Sequence, residues 1–145
     1  MQKVYILEGI PEAWKRAGLN KATGTIYDTQ RDLKIWNRLF IEKQHGDMPP
    51  LKGPLAFYAT YYMQIPKSFS PSKRESLNGT YHFRKPDTDN LNKFILDMVK
   101  GICIEDDCLI ALESTRKIYD LNPRTVFTFV ELNNDRIKTF AGAWE

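Results

Sequence analysis

Hydrophobic and polar positions along the chain follow two periods, which together predict four strands and two helices. A period of two residues, rich in β-branched and aromatic side chains, is typical of strands. It predicts strands over residues 4–10, 55–65, 109–119 and 126–132. A period of three to four residues predicts helices over residues 30–44 and 88–99. The predicted order is strand, helix, strand, long loop, helix, strand and strand.

The first predicted helix has an apolar face that we expect to pack into the core. Leu33, Trp36 and Phe40 recur at helical spacing, and Leu39 lies beside them. Thr29 is placed to cap the N-terminus of this helix.

The second predicted helix is bounded by clear signals. Leu91, Ile95 and Met98 line one face, and Lys100-Gly101 ends the helix. With the strands, this order predicts an α+β fold in which two main helices pack on one small, mainly antiparallel or mixed sheet.

Two segments between these elements lack a period. Residues 11–28 are expected to be irregular. Residues 66–85 form a long polar loop, within which residues 80–83 are a candidate short strand. Loops longer than ~12–15 residues in a compact domain are usually functional or disordered.

Size and composition predict one domain that covers all 145 residues. No apolar run approaches the ~20 residues that cross a bilayer, and the opening residues lack a signal-peptide pattern. Cys103 and Cys108 are too few for a disulfide scaffold, so we expect reduced, cytoplasmic thiols that act as small core residues. The tail, residues 133–145, is expected to dock through Phe140 and Trp144.

The net charge of +3 hides an asymmetry along the chain. Residues 1–85 contain 14 Lys and Arg against 7 Asp and Glu, whereas residues 86–145 contain 7 against 11. A basic portion that leads into an acidic cluster suits a protein that holds a polyanion and binds cations where it acts. Ordinary charge scatter explains the same numbers, so this asymmetry decides nothing alone.

The acidic residues cluster around the second predicted helix. Asp87 and Asp89 flank its start, and Asp106 and Asp107 follow its end. A short return connection is expected to bring Asp107 back beside the helix start. Convergent carboxylates repel one another unless a divalent cation joins them, and hard oxygens suit Mg²⁺ or Mn²⁺. Lys93, one turn from Asp89, is placed to neutralise charge on a phosphate that such a site would polarise.

The same residues also have an ordinary structural explanation. Asp87 and Asp89 are favoured at a helix start as caps and as partners for the positive end of the helix dipole. Asp89 and Lys93 have the spacing of a common helix ion pair, and Asp106-Asp107 is an ordinary turn. Residue chemistry alone therefore leaves a metal site and a solvated acidic edge equally open.

At these residues the sequence resembles the RusA family of Holliday junction resolvases. The resemblance rests on Lys85-Pro86-Asp87-Thr88-Asp89-Asn90-Leu91-Asn92-Lys93, Ile95-Leu96-Asp97, Gly101 and Glu105-Asp106-Asp107. It implies that Asp87, Asp89 and Asp107 are catalytic residues that bind Mg²⁺, with Mn²⁺ as a substitute. It also implies that Lys93 is the functional lysine and that Asp106 is a lesser metal candidate. The implied activity is that of a homodimer that resolves four-way junctions by paired symmetric nicks, in DNA recombination and repair.

The implied substrate is branched DNA, which a basic surface would hold. The candidates for phosphate contacts are Lys15, Arg16, Lys21, Lys67, Lys73, Arg74, Arg84 and Lys85. A C₂ dimer would present two active sites to opposing strands of a junction. The aromatic residues Trp14, Trp36, Tyr58, Tyr61 and Tyr62 are expected in the core or at a dimer interface.

Three other hypotheses remain. The chain could bind branched DNA through an inactive acidic site, or it could cut flaps and other branches. A nucleotide-sugar transferase that uses Asp87 and Asp89 for its metal is disfavoured, because the chain has no glycine-rich nucleotide-binding unit. The sequence does not give the preferred cleavage sequence, the number of metal ions, or a bacterial or phage origin.

Overall fold

The computed structural model describes residues 2–133 and shows an α+β fold. The strands are β1 (Val4–Glu8), β2 (Gly18–Asn20), β3 (Thr25–Tyr27), β4 (Leu55–Gln64), β5 (Ile110–Asp120) and β6 (Arg124–Glu131). The helices are α1 (Arg31–His45), α2 (Pro71–Leu77) and α3 (Thr88–Val99), and a 3₁₀ turn covers Asp107–Leu109. The α+β prediction is confirmed.

The main sheet is mixed, with the strand order β1-β6-β4-β5. Strand β6 is antiparallel to both of its neighbours, whereas β4 and β5 are parallel. The long segment that contains α2 and α3 joins the parallel pair, as a parallel connection requires. Tyr58 of β4 pairs with Thr128 on one side and Ser114 on the other, so these side chains share one face of the sheet.

The core lies between one face of this sheet and helices α1 and α3. Its largest fully buried side chains include Tyr61, Phe57, Phe94, Phe127, Ile41 and Leu91. Residues on the opposite face of the sheet, such as Val4, Ile6 and Tyr58, are exposed. In the part of the chain that the structure describes, the helices therefore cover one face of the sheet.

Helix α3 forms where the sequence predicts it. Leu91, Ile95 and Met98 are buried, which confirms the predicted face. The carbonyl of Ile104 accepts a hydrogen bond from the Gly101 amide (2.7 Å), and Gly101 has a positive φ of 82°. A residue without a Cβ tolerates this conformation, which explains how the chain leaves the helix.

The predicted face of α1 is wrong. Ile41 and His45 are the residues that α1 buries, whereas Trp36 is 64% exposed and Phe40 is 55% exposed. Leu33, Ile35 and Leu39 also face solvent. The predicted cap is wrong as well, because Gln30 occupies the N-cap position and makes no side-chain capping hydrogen bond. We refer to Leu33, Ile35, Trp36, Leu39 and Phe40 as the outward stripe of α1.

Both segments that lack a period contain structure. Strands β2 and β3 form a hairpin within residues 11–28, in place of the irregular segment that we expected. The polar loop contains α2, whose N-cap Ser70 accepts a hydrogen bond from the Lys73 amide (3.3 Å). The predicted strand over residues 80–83 reduces to a single bridge between Tyr81 and Ile118.

Three further expectations concern cysteines, membranes and the tail. Cys103 is buried, as expected, but Cys108 is exposed and is no core residue. Within residues 2–133, every helix is too short or too polar to span a bilayer. The expected docking of Phe140 and Trp144 lies outside the described residues.

Candidate active site

Two carboxylates lie at the start of α3. Asp87 is the N-cap residue and has extended backbone angles, and Asp89 lies in the first turn. The Asp87 carbonyl accepts the first helical hydrogen bond, from the Leu91 amide (3.1 Å), but its side chain makes no capping hydrogen bond. Both residues are exposed, and among residues 2–133 neither carboxylate has a hydrogen-bond or ion-pair partner. The capping explanation therefore does not account for Asp87.

The turn that leads into Asp87 is held by a lysine from the sheet. Lys117 of β5 donates hydrogen bonds from Nζ to the Arg84 and Pro86 carbonyls, the latter at 2.7 Å. The Lys85–Pro86 peptide bond in this turn is cis. Partial burial lowers the pKa of Lys117, and the nearby Asp87 carboxylate opposes that shift. This contact joins the sheet to the start of α3.

Lys93 contacts an aromatic ring rather than Asp89. Its Nζ lies 3.6 Å from the centre of the Trp14 ring, which is within the range of a cation–π interaction. The Trp14 amide also donates a hydrogen bond to the Asn90 carbonyl (2.9 Å), so the segment before the hairpin lies along the first turns of α3. The helix ion pair that offered an ordinary structural explanation for Asp89 and Lys93 is absent from residues 2–133.

Asp107 lies at the opposite end of α3 from Asp87 and Asp89. Lys100, at the C-terminus of α3, pairs with Asp106 (3.0 Å) and Asp107 (3.6 Å). The twelve residues of α3 separate its two ends by about 18 Å. The expectation that Asp107 returns to the helix start is wrong, because the connection after Gly101 leads into β5 beside the C-terminus of α3.

The contacts between α3 and β5 confirm this placement. Asn92, near the start of α3, donates a hydrogen bond to Thr115 Oγ1 (2.8 Å), and Lys117 contacts the turn before Asp87. Strand β5 therefore runs towards the start of α3 and begins at its far end. Within residues 2–133, no three His, Cys, Asp or Glu side chains are grouped closely enough to hold a metal ion.

Two further aspartates have structural partners. Asp106 accepts hydrogen bonds from the Asp107 amide (2.9 Å) and from Cys108 Sγ (3.0 Å). The hydrogen bonds from Cys108 and Lys100 hold the pKa of Asp106 well below its ordinary value. Asp97 forms an ion pair with Lys34 of α1 (2.8 Å) that joins two helices.

The predicted basic residues fall into groups at different distances from Asp87. Arg84 and Lys85 precede it directly, and Lys15 and Arg16 follow Trp14; all four are exposed. The remaining candidates are Lys21 in the turn of the hairpin, Lys67 before α2, and Lys73 and Arg74 within α2.

Two of the basic candidates, both within α2, already have contacts in the protein. Arg74 donates hydrogen bonds to the Ile65 and Pro66 carbonyls (3.3 and 2.9 Å). These hydrogen bonds account for an arginine at this position even if it does not contact DNA. Lys73 lies 3.8 Å from the centre of the Phe69 ring. Of the eight predicted DNA-binding residues, Arg84 and Lys85 precede Asp87 in the chain, and Lys15 and Arg16 follow Trp14, which contacts α3.

Comparison with known proteins bears on this arrangement. The family model described as endodeoxyribonuclease RusA matches residues 8–129, which is most of the chain. The chain belongs to the RusA endodeoxyribonuclease family. No curated protein gives a significant match. Membership in the RusA family makes the chain a nuclease by class, and the match spans every residue considered above for the site.

Sequence patterns did not connect Lys117 or Trp14 to the candidate site at the start of α3. Lys117 lies 30 residues beyond Asp87, and Trp14 lies 79 residues before Lys93. Neither residue belongs to a local motif, and only the packing of β5 and of the segment before β2 on α3 brings them to the site. A hydrogen-bonding or cation–π partner at such a separation requires the tertiary structure.

Proposed function

We propose that this RusA-family chain is a Mg²⁺-dependent endonuclease that resolves four-way DNA junctions by paired symmetric nicks, in recombination and repair. The observation that carries the proposal is the N-cap residue Asp87, whose carboxylate makes no capping hydrogen bond; within residues 2–133, neither it nor the Asp89 carboxylate has a hydrogen-bond or ion-pair partner. Carboxylates at a helix start that make no hydrogen bond or ion pair are available to a hard cation.

The donor set fits magnesium better than a soft metal. Mg²⁺ usually takes one or two protein carboxylates, keeps several waters and completes its shell with substrate phosphate oxygens. Asp87 and Asp89 would hold it, and Mn²⁺ would substitute. A bound Mg²⁺ would supply Lewis-acid polarisation of the phosphodiester.

Lys93 would act on the same phosphate. The lysine side chain is exposed, one turn beyond Asp89, and the Trp14 ring fixes its direction. A positive charge held in place beside a phosphodiester stabilises the negative charge that develops during cleavage. Arg84, Lys85, Lys15 and Arg16 would bind phosphates on either side of the cut, and Lys21, Lys67 and Lys73 would bind more distant ones.

A homodimer would supply the third carboxylate. Because Asp107 lies about 18 Å along α3 from the other two aspartates, we propose that it reaches them from a second copy of the chain. Asp106 would remain a lesser candidate, because Lys100 and Cys108 already engage it. Two such sites in a C₂ dimer would face opposing strands of a junction.

Two alternatives predict different results. A catalytically inactive protein would bind branched DNA without cutting it, and a nuclease with another preference would cut flaps or forks more readily than junctions. Both alternatives would use the same basic surface as a junction resolvase, so only the DNA products distinguish the three.

The test compares end-labelled four-way junction, fork and linear duplex in Mg²⁺, Mn²⁺ or EDTA. We expect paired nicks on the junction only with metal. Asp89→Asn should abolish them while junction binding in EDTA survives. Asp97→Asn is the matched control, since it removes a carboxylate from the same helix outside the site. Binding without cleavage under either metal would contradict the proposal and favour the inactive protein.

A further inference from the structure

Lys117 has an unusual position for a lysine of a sheet. Its neighbour on β5, Arg116, is exposed, and its Nε donates a hydrogen bond to Thr60 Oγ1 on the uncovered face (3.0 Å). Lys117 points to the other face and is only partly exposed, with Nζ directed at the Arg84 and Pro86 carbonyls. An ammonium group carries three N–H donors, and two of them are used in this way.

The two carbonyls that Lys117 contacts bracket the turn before α3. Residues 84–86 contribute no strand or helix of their own in the described structure, so β5 and the helix start are what fix them. Charge-assisted hydrogen bonds are shorter and stronger than neutral ones, and a single ammonium that contacts both carbonyls fixes their separation. The next residue is Asp87, so the orientation of this turn sets where its carboxylate points.

We propose that Lys117 is a positioning residue that holds the turn of residues 84–86, so that the Asp87 side chain faces the metal rather than the helix amides. The inference rests on the proposed function of Asp87 and Asp89 as metal ligands. Lys117 acts through the backbone and needs no contact with DNA. Removal of a residue that orients a metal ligand typically lowers metal affinity or activity by about 10- to 100-fold.

The experiment measures the Mg²⁺ dependence of junction cleavage in Lys117→Met, Lys117→Arg and wild type. We expect Lys117→Met to require roughly tenfold more Mg²⁺ for half-maximal cleavage, with junction binding in EDTA unchanged. Lys117→Arg should recover part of the loss, because a guanidinium can still donate to both carbonyls. Arg116→Met is the control: it removes a cation from the adjacent position on the other face and should behave as wild type.

The outcomes separate the inference from the function on which it rests. If wild type cuts nothing with metal, or Asp87→Asn cuts as well as wild type, the proposed function fails. If Asp87→Asn is inactive but Lys117→Met shows the wild-type Mg²⁺ dependence, only the role of Lys117 fails. If Lys117→Met does not fold, Lys117→Gln, which keeps N–H donors without the charge, is measured in its place with the same two outcomes.

Discussion

The ammonium group of Lys93 lies 3.6 Å from the centre of the Trp14 ring, although 79 residues separate them in the chain. We expect Trp14→Leu to lower the cleavage rate by roughly threefold to tenfold, which corresponds to the loss of one cation–π contact. Trp14→Phe keeps an aromatic face and should retain most of the activity. Single-turnover cleavage rates measure this effect, and the rate of Lys93→Met, which lacks the ammonium group, gives the lower limit. Equal rates for Trp14→Leu and Trp14→Phe would show that the ring does not act on Lys93.

The separation of Asp107 from Asp87 leads to a complementation experiment. Asp87→Asn and Asp107→Asn should each be inactive alone, because each proposed homodimer would lack one ligand in both sites. Mixed dimers should regain one intact site, made from Asp87 and Asp89 of one chain and Asp107 of the other. We therefore expect single nicks, rather than paired ones, in co-refolded mixtures. If native mass spectrometry shows mixed dimers and the mixture stays inactive, Asp107 does not act across the dimer.

The outward stripe of α1 is expected to take part in self-association. Five large apolar side chains, between 36% and 64% exposed, present roughly 500 Å², which is the size of the patches that are often functional on soluble proteins. Trp36→Glu combined with Phe40→Glu should dissociate the proposed dimer in sedimentation velocity. Val4→Glu combined with Tyr58→Glu, on the uncovered face of the sheet, is the control. Dissociation by the second pair alone would place the contact on the sheet instead.

A buried polar network joins α3 to the sheet and should contribute to stability. The Tyr61 hydroxyl donates to Asn92 Oδ1 (2.8 Å), and Asn92 Nδ2 donates to Thr115 Oγ1 (2.8 Å). Asn92→Ala should lower the free energy of unfolding by about 1–3 kcal/mol, because it leaves a buried hydroxyl without an acceptor. Tyr61→Phe in the same chain should cost less than the sum of the two single changes. Urea denaturation of the four proteins measures this; strict additivity would show that the two residues are not coupled.

His82 should make stability depend on pH. Burial, together with the charges of Lys117 and Arg84, lowers the pKa of His82 below 6.5, and its buried Nδ1 has no hydrogen-bond partner among residues 2–133. Below pH 6.5, His82 therefore binds a proton more readily in the unfolded chain than in the folded chain. The free energy of unfolding consequently decreases as the pH falls. Thermal unfolding from pH 8 to 5 should show a smaller loss for His82→Asn than for wild type. Parallel curves for the two proteins would contradict this assignment.

The sequence predicted α3 well because the determinants of that helix are local. Apolar spacing, the preceding Pro86 and the terminal Gly101 all lie within the helix or next to it, and each acts through the conformation of its own residue. The same holds for the aromatic strand β4. The candidate residues Asp87, Asp89 and Lys93 could be chosen from the sequence because they lie in one local motif at the start of α3.

The predictions that were wrong depend on contacts between distant segments. Periodicity shows that α1 has an apolar stripe, but it does not show whether that stripe packs on the core or faces solvent. Ile41 and His45 fill the core instead, because β1 and α3 approach α1 from their side. The predicted position of Asp107 was wrong for a similar reason. The short connection after Gly101 limits how far Asp107 can lie from the end of α3, but it does not determine the direction in which β5 continues.

The side chain of Gln44 occupies the outer edge of β1. Its Nε2 donates to the Ile6 carbonyl (2.8 Å), and its Oε1 accepts from the Ile6 amide (2.9 Å), in the way that a neighbouring strand would. An exposed strand edge is a template for pairing with other chains, and native proteins block such edges. One glutamine from α1 thus occupies the hydrogen-bonding groups of Ile6, in the middle of this five-residue edge strand. Strand addition at the β1 edge is thereby opposed, and Gln44→Ala should increase aggregation without changing the residues of the candidate active site.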